Sequence, residues 1–130
     1  RWPDLTYTVE AEPTVVTGQP ERIQRAASNL LDNARKWSPE GGAIEIRVEG
    51  GELSVRDHGP GFREKDLAHV FDRFYRAENA RGMQGSGLGL AIVRQTAESH
   101  GGWVRAENAA GGGAAVTVCF GSPTAVSGTS

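Results

Sequence analysis

Ile23, Ala26, Ala27, Leu30, Ala34 and Trp37 recur at helical spacing. At about 100° per residue they form one apolar stripe, which predicts an amphipathic helix ending near residue 37. A one-sided stripe must be covered, so the chain needs a second layer facing this helix. Gly18-Gln19-Pro20-Glu21 opens the helix, with Pro and an acid in the first turn. Ser38-Pro39-Glu40-Gly41-Gly42 ends it as a turn. Beside the stripe, Asn29, Asn33 and Lys36 fall within about 60° of one another, and Trp37 sits where the two zones meet. A ligand at the edge of the core would touch all four.

The second layer is legible as strands. Residues 4–11 and 14–17 are rich in Thr, Val and Tyr and read as strand material broken by Pro13. Ile44, Ile46 and Val48 alternate with Glu45, Arg47 and Glu49, a half-buried strand. Gly50-Gly51 turns the chain, and Leu53 and Val55 carry the alternation to Asp57. Residues 64–70 form a short helix, and 72–86 a polar, Arg- and Gly-rich mobile loop. Leu90, Ile92, Val93 and Ala97 mark a second helix over 88–99, ended by Gly101-Gly102. Trp103 to Glu107 and Ala114 to Phe120 close the fold as strands around Gly111-Gly112-Gly113. The predicted class is α+β, a two-layer sandwich of a mixed sheet with helices on one face. Residues 1–121 form one domain, and 122–130 are a flexible, small and polar tail.

Composition removes several function classes. A net charge of −2, with basic residues scattered, gives no electrostatic case for nucleic acid. No apolar run approaches the roughly 18 residues a membrane span needs, so no membrane contact is expected of these residues. The single Cys119 excludes an internal disulfide framework and is expected as a small hydrophobe in a strand. The chain starts at Arg1 rather than Met and is expected to be a piece of a longer protein.

Three further motifs follow the first helix. Asp57-His58-Gly59-Pro60-Gly61-Phe62 puts a carboxylate at a strand end with two glycines after it. Phe71-Asp72-Arg73-Phe74-Tyr75-Arg76 pairs aromatics with arginines. Gly85-Ser86-Gly87-Leu88-Gly89-Leu90 precedes a helix, and glycine amides at a helix N-terminus suit an anion. This last motif is not a dinucleotide fingerprint. The G-x-G-x-x-G spacing fails from Gly85, where the sixth residue is Leu90, and from Gly87, where it is Ile92. No Walker-type G-K-[ST] follows either.

Taken in order, Asn29 to Trp37 and these three motifs resemble the asparagine, first glycine, phenylalanine and second glycine boxes of the sensor histidine kinase catalytic domain, a branch of the GHKL ATPase family with the Bergerat-type fold. The resemblance covers roughly residues 20–120. It implies ATP as ligand and Mg²⁺ as its companion. Asn33 is then the metal ligand, since magnesium takes few protein ligands, all oxygen, and a neutral amide adds no charge beside the triphosphate. Lys36 becomes a phosphate contact, and Trp37 stands where the family usually places Tyr, Phe or His near the adenine. Asp57 accepts a hydrogen bond from adenine's amine, with Gly59, Gly61 and Phe62 bringing backbone to the base. Guanine's carbonyl would meet that acceptor with another, at a cost on the order of 1–3 kcal/mol. Gln84, Gly85, Gly87, Leu88, Gly89 and Leu90 cover the triphosphate. Arg73 and Arg76, on the lid anchored by Phe71 and Phe74, reach phosphate oxygens with Lys36 as the catalytic cations.

Two positions depart informatively. Hydrolysing relatives carry a Glu four residues before the metal-binding Asn, and here that position is Asn29, which accepts no proton at neutral pH. The site is therefore expected to hold ATP for a nucleophile other than water. The family's third glycine box often reads Gly-Gly-Thr, whereas this chain has Gly112-Gly113-Ala114, so no role for that hydroxyl transfers.

The resemblance implies transfer of the γ-phosphoryl group to a histidine on a separate helical dimerisation domain, then to a response regulator. His58, His69 and His100 lack a His-Glu-x-x-x-x-Pro context, so the acceptor is expected outside this segment. His58 is expected to face solvent as a passenger. The implied location is the cytoplasmic side of a membrane-anchored bacterial sensor. A GHKL-type serine kinase of the anti-sigma class and an ATPase are the alternatives.

Overall fold

The computed structural model describes residues 5–12, 16–39, 41–72 and 89–121. Five strands form one sheet: β1 (Thr6–Ala11), β2 (Ala43–Glu49), β3 (Glu52–Arg56), β4 (Trp103–Asn108) and β5 (Ala114–Cys119). Their order across the sheet is β1-β2-β3-β5-β4. β1 runs parallel to β2, and the remaining pairs are antiparallel. The two helices are α1 (Pro20–Trp37) and α2 (Gly89–Ser99).

Register shows which side chains share the face that the helices pack on. Ile46 pairs with Val55, Val55 with Val116, Leu53 with Val118, and Val118 with Val104, so these side chains share a face. All belong to the core, together with Ala26, Leu30 and Ala34 of α1 and Leu90, Val93 and Ala97 of α2. Both helices therefore lie on that face, packed against each other. The opposite face carries Glu45 beside Arg56, Arg47 beside Ser54, and Thr117 beside both Ser54 and Arg105. This is the expected two-layer α+β sandwich with a mixed sheet.

The bounds of α1 follow its sequence signals. Pro20 stands at its start and Glu21 in its first turn, with Arg35 and Lys36 in its last turn. Gln19 supplies no side-chain cap. Its N–H instead donates to His100 Nε2 at 3.0 Å, while His100 Nδ1–H donates to the Thr96 carbonyl at 2.7 Å. That pair of bonds fixes the tautomer and pins the start of α1 to the end of α2. Gly101, at φ +79°, lets the chain leave α2.

Two expectations need correction. Residues 14–17 were expected as strand, yet Val16 and Thr17 are irregular; Val16 reaches the core from a loop. Residues 64–70, expected as one short helix, form a 3₁₀ helix only at Glu64–Asp66, followed by hydrogen-bonded turns. The loop expected over 72–86 and the tail over 122–130 fall outside the described residues, Asp72 excepted. Cys119 is buried on β5, as expected.

Candidate nucleotide site

Asp57 follows β3 directly and is 2% exposed. Its burial has a local cause. β3 pairs with β5 so that Arg56 lies opposite Ala115, which brings Ala114 against Asp57. The Asp57 N–H donates to the Ala114 carbonyl at 3.0 Å, and the Ala114 N–H donates back to Asp57 Oδ1 at 3.2 Å. The Gly59 N–H donates to the same Oδ1 at 2.9 Å. Both bonds thus go to one oxygen, and Oδ2 receives none from the described residues. Burial raises the Asp57 carboxyl above the ordinary carboxylate range, opposed by the two backbone N–H groups and by the neighbouring His58 and Arg56. The result is a fixed carboxylate with one acceptor edge left for something that donates.

Glycine sets the distances around it. A Cβ on Gly59 would lie 2.2 Å from the Trp37 carbonyl oxygen, so the loop after Asp57 packs directly on the end of α1. A Cβ on Gly113 would lie 1.9 Å from the Asp57 carbonyl oxygen. Gly61, at φ +78°, turns the loop toward Asn108. Phe62 packs on the core, and Asn108 holds its backbone by two bonds. The Asp57 loop therefore touches both α1 and the turn between β4 and β5.

On α1, Asn29 and Asn33 are half-buried, on the flank expected for them. The Asn29 Nδ2 is buried and has no hydrogen-bond partner among the described residues. A buried amide donor left unmatched costs about 1–3 kcal/mol, so it fits a site completed by an acceptor such as a phosphate oxygen or a bound water. Lys36 and Trp37 are half-buried at the C-terminal end of α1. Gly89 opens α2, and among the described residues nothing lies within 4 Å of a hypothetical Cβ there. The Leu90 side chain is in the core, so any contact it makes with a ligand runs through its backbone. Arg73, Phe74, Arg76, Gln84, Gly85, Gly87 and Leu88 lie outside the described residues. His58 is exposed, as expected of it, although it pairs with Glu45 on the sheet face away from the helices.

Sequence reasoning missed three contributors: the Ala114 amide, Asn108 and Arg56. Arg56 Nη2 donates to the carbonyls of Ala110 and Gly112, at 3.1 and 2.9 Å, and braces the turn behind Asp57. An Asn at a strand end just before a glycine run was the available signal for Asn108, but it marks a turn rather than a partner 46 residues away.

A family profile described as "Histidine kinase-, DNA gyrase B-, and HSP90-like ATPase" matches residues 18–124. The chain belongs to this ATPase family. Within it, the curated relatives include the signal transduction histidine-protein kinase/phosphatase MprB of Mycobacterium avium, 44% identical over 115 residues, covering 85% of this chain. The MprB protein of Mycobacterium ulcerans is 46% identical over the same length. The chain spans 22% of the length of each. Among solved structures, a mycobacterial sensor histidine kinase MprB superposes with a TM-score of 0.82 at 41% identity, covering 92% of this chain and 83% of that one. The ATP binding domain of PrrB from Mycobacterium tuberculosis superposes at 0.69 and 29% identity, covering 95% and 84%. The chain corresponds to the ATP-binding catalytic domain of histidine kinases.

Proposed function

We propose that this domain binds Mg·ATP and presents its γ-phosphoryl group to a histidine on a separate helical dimerisation domain, for relay to an aspartate of a response regulator. The observation that carries the reading is the buried Asp57, with Oδ1 tied by two backbone amides and Oδ2 available to adenine's amine. Asn29 and Asn33 line the same side of α1, with Lys36 and Trp37 at its end beside Gly59. Among the described residues, no cluster of three or more His, Cys, Asp or Glu is arranged to hold a metal ion. On the resemblance, magnesium would be held by the Asn33 carbonyl oxygen, with phosphates and water completing its shell, and would supply charge neutralisation of the triphosphate.

The chain's own residues position and screen. Lys36, with Arg73 and Arg76 of the lid segment, would balance charge on the transferred group. Gln84, Gly85, Gly87, Leu88 and Gly89 would offer amides and a side chain to the phosphates at the start of α2. Asn29 offers no base for water, which favours transfer to another nucleophile over hydrolysis. The three histidines have structural engagements: His58 with Glu45, His69 with Asp72, and His100 between Gln19 and Thr96. This supports an acceptor elsewhere; the relatives, of which this chain spans 22%, support a larger sensor, with this module on its cytoplasmic side.

The test is incubation with γ-labelled ATP, alone and with the helical histidine domain added. Acid-labile label should appear on the added domain and little on this chain. Steady phosphate release from the chain alone would favour an ATPase, and acid-stable label a serine kinase.

A further inference from the structure

The loop bearing the proposed base contact is held by a side chain that lies outside it. Asn108 ends β4, and its Oδ1 accepts the Phe62 N–H at 2.7 Å while its Nδ2 donates to the Phe62 carbonyl at 2.8 Å. One amide thus satisfies both backbone groups of one residue, as a neighbouring strand would. Asn supplies a donor and an acceptor on one planar end; Asp supplies only acceptors, and Ala neither.

Asn108 also begins the turn that returns to β5. The Ala109 N–H donates to the Gly113 carbonyl, the Gly112 N–H to the Ala109 carbonyl, and Arg56 braces the same turn from the other side. Two segments therefore meet at Asn108. The loop of residues 59–62 gives Asp57 Oδ1 the Gly59 amide, and the 109–113 turn leads into the Ala114 amide. The separation of those two amides sets the rotation of the Asp57 carboxylate, and with it the direction of Oδ2. Among the described residues, Asn108 is a side chain that links the two segments.

We propose that Asn108 is a positioning residue for base selection: without touching the nucleotide, it fixes the direction in which Asp57 offers its remaining oxygen, and so sets the preference for adenine over guanine nucleotides. The inference rests on the reading of Asp57 as the base contact. Loss of the clamp loosens one of the two amides that aim the carboxylate. It weakens a directional bond to adenine while leaving the phosphate contacts on α1 and α2 in place.

The experiment measures ATP and GTP binding by competition against a fluorescent ATP analogue, with Mg²⁺, for the 130-residue chain and its Asn108→Ala and Asn108→Asp variants. Melting temperature is read in parallel. In Asn108→Ala, ATP affinity should fall on the order of tenfold, the size of one to two lost hydrogen bonds, with GTP affinity changed less than about twofold, so the ATP:GTP ratio falls. Asn108→Asp keeps an acceptor for the Phe62 N–H but sets oxygen against the Phe62 carbonyl, and should lower the ratio as well. It serves if the alanine variant does not fold. A folded variant with the wild-type ratio, or one losing ATP and GTP equally, overturns the proposal; if neither variant folds, Asn108 is a requirement of the fold and the proposal is withdrawn. A wild-type chain that holds both nucleotides alike is a different failure: the base reading of Asp57 falls, and this inference with it.

Discussion

Replacing Asp57 with Asn changes one atom of a side chain that is 2% exposed. The retained oxygen still accepts from Gly59 and Ala114, so the local shell survives. What changes is the other edge, where an NH₂ donor replaces Oδ2. On the proposed reading adenine presents a donor there, and two donors would then face each other. A buried donor without an acceptor costs about 1–3 kcal/mol, roughly five- to 150-fold in ATP affinity. Guanine presents a carbonyl, so GTP should bind the variant better than it binds wild type. Stability moves the other way. Burial raises the Asp57 carboxyl in the folded chain, so between the ordinary carboxylate value and that raised value the folded state holds more protons than the unfolded one. Wild-type stability contributed by this group is therefore present at low pH and falls as pH rises through that window. The neutral amide escapes this penalty, and its melting temperature at pH 7 should be no lower than wild type. Calorimetric titration with ATP and GTP, beside thermal melts at pH 7 and pH 5, reads both effects. ATP affinity within twofold of wild type with an unchanged ATP:GTP ratio would refute the assignment of Asp57 to the base. A melting temperature several degrees lower would show that the carboxylate is structural.

Three further outcomes are expected. Lowering pH through the raised Asp57 range should weaken ATP binding, because a protonated carboxyl loses acceptor capacity; Asp57→Asn should show no such dependence in pH-resolved titrations. Gly59→Ala places a methyl 2.2 Å from the Trp37 carbonyl oxygen, a backbone atom that cannot rotate away, so the loop must shift; a loss of about 1–3 kcal/mol in urea unfolding with weaker ATP binding is expected. Leu30→Ala removes a fully buried side chain from the face of α1 that meets the sheet and should cost about 2–5 kcal/mol, a large share of a typical domain's stability.

The helices and the β2–β3 hairpin were legible because their signals are local. The stripe from Ile23 to Trp37 has one period, and Pro20 and Ser38-Pro39 bracket it, so the expected end and the observed end of α1 coincide. Gly50 and Gly51 both take positive φ, as the sequence pair suggested for a hairpin turn. Val16 and Thr17 misled because β-branched residues fit a strand locally while tertiary packing decides: Val16 covers the core from an irregular segment. At the site, the motif residues were visible and their support was not. Ala114 and Asn108 act on residues 57 and 46 positions away. Those distances are closed by the β3–β5 and β4–β5 registers, which no short window of sequence encodes.

The same registers explain why losing the third-box hydroxyl need not empty the site. A Thr would have offered a side-chain group at position 114, but the contact to Asp57 Oδ1 here comes from the Ala114 backbone N–H. A backbone donor is indifferent to the side chain it belongs to, so alanine at this position preserves it. The preceding residue has no such freedom. Gly113 has φ +82°, and a Cβ there would sit 1.9 Å from the Asp57 carbonyl oxygen, so any larger residue must push the 109–113 turn off the strand that carries Asp57. Within one short motif, the glycine is set by sterics and the following residue is released by backbone hydrogen bonding. Comparing Gly113→Ala with Ala114→Thr separates the two: the first should lower both the melting temperature and ATP affinity, whereas the second should leave the Asp57 shell closed and change ATP affinity less than about threefold, below the cost of one buried hydrogen bond. An Ala114→Thr variant that gains or loses ATP binding by more than tenfold would show that the side chain at this position reaches the nucleotide after all.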